Sequence, residues 1–186
     1  MSVEKARWMF NVSDYYRMAE AGMFAEGDRV ELIEGEILKM SPTGSRHAAC
    51  VDRLNAALSR LLGGAAIVRV QSPVHLNDFS EPLPDIALLK NRSDFYEQSH
   101  PTPDDVLLII EVADSSVVYD RAVKVPLYAR AGVPEVWLVD LVKNEVEVCS
   151  RPESGAYAET RRVRRGEPLA SAQLPSLALG ADDVLA

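Results

Sequence analysis

The chain has 186 residues, of which 47% are hydrophobic and 26% charged, so it can bury a core and is neither a disordered nor a fibrous protein. Acidic residues outnumber basic ones by 28 to 20, and the formal net charge of -8 argues against broad, non-specific nucleic-acid binding. The two cysteines, Cys50 and Cys149, are far apart, which indicates a reducing compartment and no structural zinc site. We find no signal-peptide core and no apolar run of about 18 residues, and we therefore predict a cytoplasmic protein without membrane contact.

The N-terminal segment predicts a helix followed by a hairpin. Residues 11–24 have helical spacing, with Ser13 placed to cap the helix and Gly22 placed to end it. Residues 29–40 then predict two short strands that are joined tightly at Glu34-Gly35.

A longer helix and an interrupted strand follow this hairpin. Apolar residues recur at helical spacing over residues 45–62, and Gly63 stops the pattern. Residues 66–76 then alternate as a strand would, although Gln71 and Pro73 interrupt the alternation.

The middle of the chain is its most apolar part. Residues 85–89 and 106–112 are near-continuous hydrophobic runs, which are typical of strands covered on both faces. Residues 119–131 predict a helix in which Pro126 either causes a kink or marks a later start. Residues 133–139 predict another buried strand.

The C-terminal part predicts a second hairpin, because residues 145–163 contain two alternating segments around the turn sequence PESG. We find no internal repeat and no low-complexity linker, and we therefore predict a single domain over residues 1–186. The predicted fold class is α/β (α+β): a mixed central β-sheet flanked by helices, with N-terminal and C-terminal β-hairpins.

Two acidic residues stand in the strands that the pattern predicts to be buried. Asp85 follows Pro84 and opens one strand, and Glu111 lies near the end of another. A buried carboxylate is costly unless it is paired, protonated or bound to metal. If the strands are neighbours, the two carboxylates meet and form a site that suits Mg²⁺ or Mn²⁺. Lys124, one helical turn after Asp120, could orient water or stabilise phosphate charge there.

Each of these residues also has a structural interpretation, which spacing alone favours. Pro-Asp is common in turns, so Asp85 can simply end one. Glu111 can pair with a structural lysine or arginine. Asp120 and Lys124 can form a solvated pair worth a few tenths of a kcal/mol. The hydrophobic patterning therefore leaves both the metal site and structural pairing open.

Other sets of chemically active residues fit known sites poorly. The three histidines lack metal-ligand spacing, and no G-x-S-x-G, P-loop or dinucleotide motif is present in the sequence. Four arginines, Arg161, Arg162, Arg164 and Arg165, form the one basic cluster. They are either a solvated face of a strand or a phosphate contact.

Several motifs together closely resemble the Uma-two family of endonucleases, which is similar to a branch of the PD-(D/E)XK restriction-endonuclease-like superfamily. The matching runs are PDIALLK, VLLIIEVADSS and VYDRAVKVPLYARAGVPEVWLVD, with VELIEGEILKMSP, RHA and VQSPVHL before them. The resemblance covers most of the chain. It implies a restriction-endonuclease-like fold, with a mixed central sheet, helices on both sides and added hairpins.

The resemblance also implies which residues form the site. Asp85 matches the aspartate of the first motif and Glu111 the acid of the second, and both would ligate a divalent metal. The superfamily pattern has a lysine two residues after that acid, where this chain has Ala113. Lys124 is the substitute that the resemblance offers, moved to the following helix.

Four further residues are possible members of the site by the same resemblance. Glu31 or Glu34 would supply an additional acid, and we favour Glu31 because it alternates with Ile33 on the predicted strand. His47 and Gln71 match family positions and would line the site. A histidine at a helix start and a glutamine in an edge strand are equally good structural interpretations of these two residues.

The resemblance implies an Mg²⁺-dependent (or Mn²⁺-dependent) endonuclease that hydrolyses phosphodiester bonds of DNA. The alternative is a catalytically inactive module with the nuclease fold that acts in nucleic-acid binding or protein assembly. The acidic net charge and the displaced lysine favour this alternative. We also expect a homodimer, by analogy with nuclease folds that engage two strands.

Overall fold

Ten strands and four α-helices make up the computed structural model, which describes residues 7–177 and 179–185. The strands are β1 (Val30–Ile33), β2 (Glu36–Lys39), β3 (Ile67–Val70), β4 (Ile86–Leu89), β5 (Val106–Ala113), β6 (Glu135–Asp140), β7 (Glu145–Glu153), β8 (Ala156–Arg164), β9 (Pro168–Leu169) and β10 (Leu179–Gly180). The helices are α1 (Val12–Glu20), α2 (Ser45–Leu62), α3 (Val117–Tyr119) and α4 (Val125–Ala131). A π-helical turn, Asp120–Lys124, joins α3 to α4. Short 3-10 turns occupy Pro103–Asp105 and Ala181–Asp183.

A six-stranded sheet in the order β3-β4-β5-β6-β7-β8 forms the centre of the fold. Only β5 and β6 are parallel, and every other neighbouring pair is antiparallel. The antiparallel pairing sets Ile86, at the start of β4, opposite Ile110, near the end of β5. Asp85 and Glu111 are the next residues outward, so they meet at the same end of the sheet.

Two apolar layers cover the two faces of this sheet, because side chains alternate between the faces along each strand. Helix α2 and the C-terminal segment pack on one face, where Leu54, Leu108 and Trp137 are fully buried. Helix α4 packs on the other face, where Ala87 and Tyr128 are fully buried. The predicted mixed sheet with helices on both sides is therefore confirmed.

The face of Glu111 follows from this alternation. Ile109, two residues earlier, packs in the α4 layer, so Glu111 is directed to that side. Leu107, which the strand pattern predicts on the same face, packs instead against the α2 layer. The reason is a register shift between Leu88 and Leu89, where the β4–β5 ladder has an irregularity.

The N-terminal elements agree with the prediction except at two points. Strands β1 and β2 form the expected hairpin, and its turn is at Glu34-Gly35. Asn11, not Ser13, caps α1, because its side chain accepts from the backbone N–H of Asp14. The strand predicted over 66–76 ends at Val70, because Gln71 has a φ of 45° and leaves the extended conformation.

The helix predicted over residues 119–131 begins earlier, at Val117, and contains the π-helical turn Asp120–Lys124. Pro126 is the second residue after this turn; it has no N–H, and its ring crowds an ordinary helical turn. A widened turn accommodates the proline, so the helix continues through it.

The C-terminal hairpin is confirmed, because β7 and β8 pair over nearly their whole length and form one end of the central sheet. Glu135 ties the segment after the hairpin to the sheet: its carboxylate accepts hydrogen bonds from Ser171 and Ala172. In residues 7–177 and 179–185, no helix has both the length and the apolar character that crossing a membrane requires.

Candidate active site

A cavity of about 530 Å³ lies where β4 begins and β5 ends, between the N-terminal hairpin and the helix that follows β5. We call it the acidic cavity, because four of the acids that line it are buried. Their exposed fractions, with that of the lysine among them, are Glu31 4%, Asp85 6%, Glu111 3%, Asp120 5% and Lys124 3%.

Asp85 is held by three hydrogen bonds. Its Oδ2 accepts from the backbone N–H of Val112 at 2.9 Å and lies 3.0 Å from Nε2 of His47. Its Oδ1 accepts from Nε2 of Gln71 at 3.2 Å. Burial alone would raise the pKa of Asp85, but the bonds to His47, Val112 and Gln71 lower it below the usual value. Asp85 is therefore a fixed, ionised carboxylate.

The turn and the helix that carry Gln71 and His47 explain how they reach Asp85. Gln71 follows β3, the neighbour of β4, and its left-handed backbone conformation ends the strand beside the start of β4. His47 lies in the first turn of α2. Its hydrogen bond to Asp85 raises the pKa of the imidazole, although burial opposes the rise. The structure thus places both predicted residues against the predicted metal ligand.

Glu111 is the most strongly perturbed acid of the cavity. Burial raises its pKa to about 8, and the charges of Asp85 and Asp120 add to the rise while Lys124 opposes it. Its Oε1 accepts hydrogen bonds from Nζ of Lys124 at 3.1 Å and from the hydroxyl of Tyr128 at 2.6 Å. No hydrogen bond from the described residues reaches Oε2 of Glu111.

Lys124 lies between two carboxylates. Its Nζ is 3.0 Å from Oε2 of Glu31 and 3.1 Å from Oε1 of Glu111. Burial by itself would lower the pKa of Lys124, but the charges of Glu111, Glu31 and Asp120 raise it above the usual value, so the side chain stays a cation. The displaced lysine of the sequence pattern therefore does reach Glu111 from the following helix.

Glu31 enters the cavity from the N-terminal hairpin. The backbone N–H of Leu83 donates to its Oε2, and the N–H of Glu81 donates to the carbonyl of Leu32, which fixes β1 beside the segment before β4. Glu34 is not part of the cavity, because it lies in the exposed hairpin turn and pairs with Arg130. Of the two predicted acids, the structure brings only Glu31 to Lys124.

Asp120 is buried, so its interpretation as half of a solvated pair with Lys124 is wrong. The hydroxyl of Ser116 donates to its Oδ2 at 2.5 Å, and burial raises the pKa of Asp120. The sequence pattern did not place Asp120 in the site, because the helical spacing shows that Asp120 and Lys124 share a face but not that the face is buried.

The four arginines of the basic cluster are already engaged within the chain, which favours their structural interpretation. Their partners are backbone carbonyls of Pro168 and Ala170 for Arg161, Glu147 and Glu145 for Arg162, Glu145 for Arg164, and Asp182 for Arg165.

The donor set of the cavity fits a hard divalent cation. Carboxylate oxygens are the ligands that Mg²⁺ and Mn²⁺ prefer. Four buried carboxyl groups face one buried ammonium group, so a cation would offset the negative charges of Asp85 and Asp120, which add to the effect of burial on the pKa of Glu111. Within the described ranges, no group of three or more His, Cys, Asp or Glu residues is arranged to hold an ion. A cation at Asp85 and Glu111 would therefore take further ligands from water or substrate, as Mg²⁺ usually does.

Comparisons with known proteins agree with this fold. The model of the Uma2 family, described as "Putative restriction endonuclease", matches residues 12–182. A solved structure described as a "putative nuclease belonging to DUF820" from Anabaena variabilis is similar, with 18% identity and a TM-score of 0.65 over 85% of this chain and 90% of that chain. No curated protein matches the sequence. The structural likeness shows the fold, and the family model covers most of the sequence; the chain belongs to the Uma2 family.

Proposed function

We propose that this protein is an Mg²⁺- or Mn²⁺-dependent endonuclease that hydrolyses phosphodiester bonds of DNA. One observation carries the proposal: the acidic cavity buries four carboxyl groups around a single lysine. The restriction-endonuclease description of the family supports the nuclease activity and the choice of DNA as substrate.

Asp85 and Glu111 are the residues that would hold the cation. When bound, a divalent cation of this kind polarises a phosphate and makes a water molecule more acidic. His47, Gln71 and the N–H of Val112 orient Asp85, so its carboxylate needs no reorganisation before binding.

Lys124 acts as a fixed positive charge in this proposal. Because the surrounding acids raise its pKa, Lys124 keeps its protons at neutral pH and is not the general base. Its ammonium group is instead suited to offset the negative charge that develops on the phosphate during hydrolysis. Glu31 and Glu111 hold the ammonium group in position from two sides.

The second candidate is a catalytically inactive module with the same fold. It is favoured by the ion-pair network, in which Lys124 already pairs with both Glu31 and Glu111. The two candidates differ in their response to metal. A functional two-carboxylate site raises the melting temperature when Mn²⁺ binds, because binding at a hundredfold excess over Kd adds about 2.7 kcal/mol to the free energy of unfolding. A purely structural network gives no shift.

Cleavage of supercoiled plasmid with Mn²⁺, Mg²⁺ or EDTA tests the proposal directly. We expect metal-dependent nicking that falls on the order of a thousandfold in Asp85→Asn and Glu111→Gln. Glu147→Gln is the matched control, because Glu147 is a buried acid that lies outside the acidic cavity and pairs with Arg121 and Arg162. Cleavage by Asp85→Asn or Glu111→Gln at the wild-type rate would contradict the assignment.

The homodimer stays a prediction, and we expect it to form through the sheet edges. Strands β3 and β8 end the central sheet, and each has one neighbouring strand among the described residues. An edge of this kind can pair with a second copy of the chain. Light scattering over a range of concentrations tests the dimer, and a single-chain mass throughout would contradict it.

A further inference from the structure

Unpartnered buried polar atoms concentrate in the acidic cavity. Four buried side-chain nitrogen or oxygen atoms have no hydrogen-bond partner within the described part of the chain. Three of them, Nη2 of Arg29, Nδ1 of His47 and Oη of Tyr119, belong to residues that line this cavity. A buried polar atom without a partner is unfavourable, so several such atoms in one cavity indicate a ligand that satisfies them.

Arg29 supplies a permanent positive charge to the cavity. It stands directly before β1, and its Nη1 donates to Oγ1 of Thr43 at 2.7 Å. Arg29 and His47 line the same cavity. The Arg29 side chain is partly exposed, so a ligand in the cavity can reach it.

Tyr119 supplies a neutral donor. It is the last residue of α3 and directly precedes Asp120. Burial raises the pKa of its hydroxyl to about 12, and the charge of Glu31 adds to the rise, so the phenol keeps its proton at neutral pH. Its side chain is also partly exposed. His47 already orients Asp85 through its Nε2.

The acids of the cavity do not satisfy these donors. Oε2 of Glu31 accepts from Lys124 and Leu83, and Oδ2 of Asp120 accepts from Ser116. The unpartnered Nη2 of the Arg29 guanidinium and the unpartnered hydroxyl of Tyr119 suit a ligand with acceptor oxygens and negative charge. Phosphate is such a ligand, and arginine binds it with charge-assisted hydrogen bonds.

We propose that Arg29 and Tyr119 bind the non-bridging oxygens of a nucleic-acid backbone phosphate in the acidic cavity. This inference rests on the nucleic-acid substrate proposed above. Two residues besides Asp85, Glu111 and Lys124 would then contact the substrate directly. Arg29 would compensate for the acidic surroundings, which otherwise repel a phosphate.

Binding in EDTA separates this inference from cleavage. Fluorescence anisotropy is measured with labelled single- and double-stranded DNA and RNA of one sequence, at several salt concentrations. We expect Arg29→Gln to raise Kd about tenfold and to reduce the slope of log K against log salt by about 0.7 to 0.9, as loss of one phosphate contact requires. We expect Tyr119→Phe to raise Kd about threefold with an unchanged slope, because it removes a donor but no charge.

Three variants serve as controls. Arg60→Gln removes the same charge from the exposed last turn of α2, outside the cavity, and should leave the slope unchanged. Tyr157→Phe removes a hydroxyl that donates to the carbonyl of Val133, also outside the cavity. Thr43→Val removes the partner of Arg29 without changing the charge, so it reproduces the effect of Arg29→Gln only if the role of Arg29 is structural.

The outcomes decide the inference separately from the proposed function. A reduced slope in Arg29→Gln with a normal slope in Thr43→Val supports the inference, even if the wild type cleaves nothing. An unchanged slope in Arg29→Gln, or an equal loss in Thr43→Val, overturns it even if the wild type cleaves plasmid. It is also overturned if the wild type binds none of the four nucleic acids, or if inorganic phosphate alone raises its melting temperature while no nucleic acid binds.

Discussion

Two clusters of buried carboxylates among the described residues differ in how fully their members are paired with cations. The first is the acidic cavity. The second crosses the face of the sheet beside the π-helical turn, and we call it the charge ladder. Its members are the acids Asp140, Glu145 and Glu147 and the arginines Arg121, Arg162 and Arg164.

The charge ladder has an arginine for every acid. Nε of Arg121 is 3.0 Å from Glu147, and its Nη2 is 3.3 Å from Asp140. Arg162 reaches Glu147 at 3.2 Å, so this acid is shared by two arginines. The hydrogen bonds and charges of these arginines lower the pKa of Glu147, although burial opposes them.

The acidic cavity has four buried acids around one buried lysine, and there burial raises the pKa of Glu111. A buried carboxylate is therefore not by itself a sign of function. An excess of buried acids over the cations that form ion pairs with them, accompanied by donors without partners, distinguishes the cavity from the ladder.

Removing Lys124 should have the largest effect on stability. Lys124→Met leaves Glu31 and Glu111 without their shared cation, and we expect a loss of about 3–5 kcal/mol in the free energy of unfolding in EDTA. Urea denaturation measures the loss, with Lys143→Met, at an exposed position, as the control. We also expect Mn²⁺ to stabilise Lys124→Met more than the wild type. A loss of stability no greater than that of Lys143→Met would contradict the role of Lys124 as the shared cation of Glu31 and Glu111.

The pH dependence of the free energy of unfolding should differ between the wild type and a variant with a neutral residue in place of Glu111. The pKa of Glu111 rises from 4.5 to about 8 on folding, so between these values the folded state holds a proton that the unfolded state has lost. Stability therefore falls as pH rises through this range, by up to about 1.4 kcal/mol per pH unit.

Glu111→Gln removes this proton without removing the acceptor for Lys124 and Tyr128. Thermal unfolding of both proteins in EDTA from pH 5 to about pH 9 tests the sign. The wild type should lose stability relative to Glu111→Gln as pH rises. Parallel curves would show that Glu111 is ionised throughout and that its charge is balanced after all.

Much of the site could be predicted from the sequence because it depends on strand patterning. Two buried runs place Asp85 at the start of one strand and Glu111 at the end of another, and antiparallel neighbours bring such ends together. Lys124 followed from the resemblance, and its helical position explains how it reaches Glu111.

The rest depends on contacts that no local pattern contains. The π-helical turn widens the helix at Asp120. The burial of Asp120 depends on the N-terminal hairpin and the start of β4, which are distant from it in the sequence. The unsatisfied donors of Arg29 and Tyr119 can be recognised only when every neighbouring acceptor is known. The sequence pattern indicates only an apolar helix position for Tyr128. The structure shows that its hydroxyl donates a hydrogen bond to Glu111.

A substitution in the charge ladder should separate stability from metal binding. Glu147→Gln weakens the pairing of Arg121 and Arg162, and we expect a loss of about 1–3 kcal/mol in the free energy of unfolding. The rise in melting temperature with Mn²⁺ should be the same as in the wild type, because the ladder does not line the acidic cavity. A changed Mn²⁺ response would mean that the two regions are coupled.

The smallest effect should come from Gln71, which orients Asp85 but does not reach the proposed cation itself. Gln71→Leu removes the hydrogen bond to Oδ1 of Asp85, while His47 and Val112 still hold Oδ2. Loss of such an orienting partner typically weakens metal affinity about tenfold, so we expect a tenfold higher Kd for Mn²⁺ by calorimetry. Gln71→Glu, which adds a carboxylate beside Asp85, should restore affinity if the cavity attracts cations through its excess of acids. If Gln71→Glu binds Mn²⁺ no better than Gln71→Leu, the geometry of Asp85 determines the affinity and the excess charge does not.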